Sequence, residues 1–157
     1  MERRYRVRLD ELLGDVPGVQ AHAEAIIELA DRHSLGYWRV NGLILHGWAM
    51  VQQGATEAGI ALMCQSTGSR AAQGVSWYQA RYLCMLAAAY AQVGQAEPGL
   101  CVVAEAKALV ARDEEHMWEG ELDRIEGELK WVQGGSTPEI ESCFARAIAI
   151  TRTQGAK

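Results

Sequence analysis

Apolar positions along this chain follow a helical period, and the pattern starts again forty residues later. Leu43 and Ile44 return seven residues on as Met50 and Val51, the spacing of one buried helical stripe. Stretches 37–54, 77–94 and 117–134 superimpose without a gap. Each opens on a bulky pair (Tyr37-Trp38, Trp77-Tyr78, Met117-Trp118), carries a small residue ten along (Gly47, Ala87, Gly127) and closes on a glycine. A fixed period of this size marks a stacked repeat protein, in which each unit buries its apolar face against its neighbours.

The pattern predicts two helices per unit. In the first they cover about 37–53 and 56–72, with Gly54 between them and Gly68 a weak point inside the second. In the second unit they cover 76–93 and 97–111, with Gly94 as the stop and Pro98 in the first turn, where a missing N–H does no harm. In the third, a helix over 116–133 ends at Gly134-Gly135, and Thr137 caps the next with Pro138 at its first position. Gly47 to Met63 and Ala87 to Val103 span sixteen positions, but Gly127 to Phe144 spans seventeen, which makes Gly135 a one-residue insertion in the turn. Upstream, residues 17–30 repeat the pattern of 98–111, so they read as the second helix of an earlier repeat, and residues 1–13 as a stub of its first. The expected organisation is one solenoid over 1–157: a partial repeat at 1–34, then repeats at 35–74, 75–114 and 115–157. Neither end carries an evident polar capping face, and the array reads as a segment of a longer one.

Composition supports helices over sheet: 49% of residues are hydrophobic, with only 3 Pro and 1 Phe. The net charge of −5 argues against a phosphate-neutralising surface and hence against nucleic acid as partner. Arg3, Arg4, Arg6 and Arg8 are offset by Asp10, Glu11 and Asp15 and read as a solvated terminus. Cys64, Cys84, Cys101 and Cys143 lack any ligand spacing, and are expected to be small buried hydrophobes in a reducing compartment. With no signal-peptide core and no run long enough to span a bilayer, a cytoplasmic protein without membrane contact is expected.

Catalytic signatures are missing. The chain has no Walker A loop, GxGxxG, GxSxG or HExxH. His46 has no second ligand three or four residues away and is expected to be a satisfied, partly buried histidine. The acidic run Asp113-Glu114-Glu115, with His116, Glu119 and Glu121, is read as a complement to a helix dipole and not as a general acid–base pair. No catalytic residue, metal site or cofactor is assigned. Of the tryptophans Trp38, Trp48, Trp77, Trp118 and Trp131, Trp48 and Trp131 follow the central glycines by one and four positions. An accessible tryptophan there would be a good peptide anchor.

These units resemble tetratricopeptide repeats: a small residue midway along the first helix, a glycine at the turn, and in the second helix a bulky residue followed three later by a small one. Those pairs are Met63-Ser66, Val103-Ala106 and Phe144-Ala147. Leu43 and Leu83 stand in for the usual tryptophan, the forty-residue period exceeds the usual length of about 34, and Thr67 and Lys107 occupy normally apolar positions. Runs such as Gly47-Trp48-Ala49, Ala87-Ala88-Ala89-Tyr90-Ala91 and Gly94-Gln95-Ala96-Glu97 are similar to the C-terminal repeat region of bacterial signalling proteins, in which a nucleotide-cyclase-like domain and a predicted ATPase precede the repeats. Nothing matches those catalytic parts.

The resemblance implies an all-α, right-handed superhelix of helical hairpins, acting as a non-catalytic interaction or regulatory module. It also implies a concave groove lined by Asn41, Trp48 and Gln52 in the first unit, Arg81 and Gln92 in the second, and Glu121, Arg124, Glu128 and Trp131 in the third. That mixed polar and aromatic lining suits a protein or peptide partner. Two alternatives are a groove that senses a small ligand for an attached ATPase or cyclase, and self-association of two copies through uncapped terminal helices.

Overall fold

The computed structural model describes residues 14–74, 78–113 and 116–155. The stub at 1–13, the arginine cluster, Trp77, Glu114 and Glu115 lie outside them. The described residues form seven α-helices and one 3-10 turn, with no strand among them. They fall into two compact units that divide after Gly74.

In the first unit α1 (Val16–Arg32) packs on α2 (Gly36–Gln52), and α2 on α3 (Thr56–Ala72). The α2–α3 crossing depends on two glycines. A Cβ on Gly47 would lie 2.8 Å from the Gly59 carbonyl oxygen, and one on Gly59 would lie 2.5 Å from that of Gly47. The two backbones therefore meet where side chains are missing, and Ile44, Val51 and Met63 close the core around them. Arg70 is 1% exposed: its Nη1 donates to Asn41 Oδ1 at 2.5 Å, and its guanidinium lies 5.0 Å from the centre of the Tyr37 ring. Thr67, polar at a normally apolar position, is buried with its hydroxyl donating to the Met63 carbonyl at 2.9 Å. That hydrogen bond is why its polarity does not disturb the packing.

In the second unit α4 (Gln79–Gln92) packs on α5 (Ala96–Asp113), and a 3-10 turn (His116–Trp118) leads into α6 (Glu119–Gln133), which packs on α7 (Thr137–Thr153). Helix α6 also contacts both α4 and α5. Leu83, Ala87, Val103, Val110, Leu122, Ile125 and Leu129 form one core.

The forty-residue period is visible as a repeated helix stop. At Gly54, Gly94 and Gly134, each at φ between 74° and 91°, the glycine N–H donates to the carbonyl three residues back: Val51 at 3.1 Å, Ala91 at 3.1 Å and Trp131 at 3.0 Å. The next N–H donates five back, to Met50 at 2.9 Å, Tyr90 at 3.0 Å and Lys130 at 2.8 Å. This double bond pattern satisfies the last helical carbonyls and needs a left-handed residue, which glycine adopts without strain. Helix α3 starts two residues after Gly54 and α5 two after Gly94, but α7 starts three after Gly134; Gly135 is the inserted residue.

Several expected boundaries shift. The helix expected from residue 76 starts at Gln79, because Tyr78 stands in the left-handed region at φ 61°. The helix expected from 116 is a 3-10 turn first. The cap of α7 is Ser136, not Thr137: Glu139 accepts from the Ser136 backbone N–H at 3.3 Å and from its hydroxyl at 2.7 Å, which leaves Pro138 at the second helical position.

Candidate functional site

Most candidate groove residues cluster in the second unit. Gln92 on α4, with Glu128 and Trp131 on α6, lines a cleft of about 360 Å³ together with Ala88, Ala91, Val132 and Phe144. Trp131 is 72% exposed and Val132 42% exposed, so one wall is apolar surface in contact with water. Small side chains make the opposite wall, since Ala88 and Ala91 sit one turn apart on α4. Phe144, on α7, is the bulky residue of the repeat signature. It lines the cleft because Gly127 has no side chain: a Cβ there would lie 3.0 Å from the Phe144 ring.

Glu121 and Arg124 line a second hollow of about 300 Å³ with Gly120, Phe144, Ala147 and Ile148. Arg124 donates through Nε and Nη2 to the two Glu121 oxygens at 2.9 and 2.7 Å, and through Nη1 to Glu128. The Glu121 hydrogen bonds, outweighing partial burial, push the guanidinium pKa up. Arg81, on α4, stacks its guanidinium 5.4 Å from the Tyr82 ring centre.

In the first unit Trp48 is half-buried and Gln52 exposed on α2. Asn41 is 5% exposed, with its carbonyl oxygen facing inward to Arg70. It therefore presents little surface to a partner.

The interlock of the second unit comes from a residue that the repeat pattern marks only as out of place. Lys107 on α5, 36% exposed, reaches Asp123 at 2.5 Å and also Glu126, both on α6. Arg146 on α7 reaches the same pair at 3.2 and 3.4 Å, and Lys130 holds Glu126 at 2.7 Å. Burial alone would raise the Glu126 carboxyl pKa, but hydrogen bonds from Lys107 and Lys130 carry it below its ordinary value. Lys107 shows the converse: burial acts to lower its ammonium pKa, and Asp123 and Glu126 more than reverse this. Three cations on two carboxylates tie α5, α6 and α7 together. Such a contact cannot be inferred from a chain position without knowing which helix faces it.

Three expected residues need correction. Cys101 is exposed and Cys64 half-buried, so only Cys84 and Cys143 are buried; burial, then the charge of Glu121, pushes the Cys84 thiol up to about 12. His46 is partly buried as expected but not satisfied: its buried Nδ1 has no hydrogen-bond partner among the described residues, and Glu24 stands 3.9 Å away. In the acidic run, Glu119 and Glu121 occupy the first turn of α6 and Asp113 binds Arg112 at 2.7 Å. Among the described residues no three His, Cys, Asp or Glu side chains converge in a way that could hold a metal ion, and no helix is long and apolar enough to cross a membrane.

No family model, curated protein or solved structure matches the chain. What ties this molecule to helical-repeat proteins is its own architecture, an all-helical arrangement of consecutively packed helices among the described residues.

Proposed function

We propose that this chain is a non-catalytic interaction module, a right-handed tetratricopeptide-like stack in the cytoplasm, that captures a protein segment in the cleft around Trp131. The carrying observation is the exposure of Trp131 beside Ala88, Ala91, Val132 and Phe144. A rigid aromatic at the rim of an apolar cleft supplies contact area at low entropic cost, and such residues dominate binding energy at interfaces. Gln92 and Glu128 at the rim add hydrogen-bonding groups that would orient a backbone or a cationic side chain. The expected ligand is a short segment with one or two large apolar side chains and a basic residue placed to meet Glu128.

Selection of binders from a displayed random-peptide library tests this. Selected peptides should shift the Trp131 fluorescence, and Trp131→Ala should weaken them by about 2 kcal/mol or more, roughly thirtyfold. Binders that keep their affinity for Trp131→Ala, or a library that yields none, would defeat the proposal.

A further inference from the structure

The outer face of α7 pairs with nothing described, yet it is organised. Glu141, Ala145, Ile148 and Arg152 are all exposed, Ile148 to 52%. At about 100° per residue these four fall within roughly 60° of arc on one stripe. Neither Glu141 nor Arg152 has an ion-pair partner among the described residues, although most other charges on α6 and α7 do.

One residue of this stripe has a counterpart within the same unit that meets a neighbouring helix. Forty-one residues earlier, Val103, Ala106 and Val110 on α5 share a core with Leu122, Ile125 and Leu129 of the next helix. Lys107, the counterpart of Ile148, also binds that helix. The matching α7 positions are Phe144, Ala147 and Thr151, which line the open hollow beside Ile148. Phe144 and Ala147 pack on α6, whereas Ile148, at the position from which Lys107 reaches the next helix, is exposed.

The order of residues along the stripe selects the occupant. Reversed end to end, the series acid, small, large, base meets itself in complement. We infer that two copies of this chain associate through antiparallel α7 helices about a two-fold axis lying between Arg146 and Ala147. Glu141 of each copy then faces Arg152 of the other, and Ile148 packs against Ala145. A parallel pairing would set like charges together and large against large, so the charge pattern also fixes the direction. A single helix pair buries less than the ~1,200–2,000 Å² of stable complexes, so the dimer should be weak. The inference is independent of the Trp131 cleft, whose lining includes none of the four stripe residues.

Sedimentation equilibrium of the full chain from about 1 µM to about 1 mM tests it. The unaltered protein should pass from monomer to dimer within that range, and Ile148→Asp should remove the dimer while leaving the helical circular dichroism unchanged. Glu141→Arg should weaken the dimer about tenfold, because each substitution enters the interface twice. Combining Glu141→Arg with Arg152→Glu should bring it back to within about threefold of the unaltered protein. A monomer throughout, a dimer indifferent to Ile148→Asp, or a charge reversal that is not rescued would each overturn the inference. None of these outcomes bears on peptide capture at Trp131, whose variants are different.

Discussion

Adding one methyl group to α3 should either loosen or tighten the protein, depending only on where it is placed. Gly59 and Gly68 both lie inside this helix, nine residues apart. A Cβ at Gly68 would meet nothing within 4 Å, whereas one at Gly59 would lie 2.5 Å from the Gly47 carbonyl oxygen, 2.8 Å from Val51 Cγ2 and 3.0 Å from the Val51 backbone nitrogen. Replacing a helical glycine by alanine gains about 0.5–1 kcal/mol in backbone entropy at either site. At Gly68 that gain stands alone. At Gly59 restoring ordinary contact of about 3.5 Å requires α2 and α3 to part by about 1 Å. Two of the three obstructing atoms are backbone and cannot rotate away. Overpacking of this kind costs about 1–3 kcal/mol, which leaves a net loss of up to about 2.5 kcal/mol after the propensity gain. Gly68→Ala should therefore melt higher than the unaltered protein and Gly59→Ala lower, with urea unfolding followed by circular dichroism placing the two variants about 1–3 kcal/mol apart, the overpacking cost itself. If Gly59→Ala equals or exceeds Gly68→Ala in stability, the glycine contact does not set the spacing of α2 and α3.

Lys107→Met, which restores an apolar residue where the repeat pattern expects one, should destabilise by about 1–2 kcal/mol in the same assay, since buried Asp123 and half-buried Glu126 lose one of three cations. Asn41→Ala should cost about 1.5–3 kcal/mol, because the Arg70 guanidinium, 1% exposed, loses an acceptor inside the protein. Acid should weaken the second unit. The Glu126 carboxyl pKa is lowered on folding, so its contribution is complete above the unfolded value of about 4.3 and is lost as the pH falls through the folded one; Glu126→Gln should flatten the decline in melting temperature between about pH 5 and pH 3. With a thiol reagent under native conditions Cys101 should react first and Cys64 more slowly, while Cys84 and Cys143 should react only on unfolding; rapid labelling of Cys84 would contradict its burial.

Local features of the chain determined the helices and their stops. A glycine after each amphipathic run demanded a left-handed stop, and Gly54, Gly94 and Gly134 supply it with the same pair of hydrogen bonds each time. The inserted Gly135 was legible for the same reason, since a turn register depends on neighbours in sequence. The comparable placement of Trp48 and Trp131 after the central glycines was legible too, but not whether either reaches solvent: only the packing leaves Trp131 exposed and Trp48 half-buried. Ser136 and not Thr137 caps α7 because Glu139, three residues on, closes a capping box with Ser136, a one-residue shift smaller than sequence patterns resolve. The roles of Asn41, Lys107 and Phe144 depended on tertiary structure alone. Each is decided by a residue on a different helix, Arg70 for the first, Asp123 and Glu126 for the second, Gly127 for the third. Periodicity along one helix says which side is buried. What a polar group on that side meets is set by the facing helix, whose register and distance come from packing.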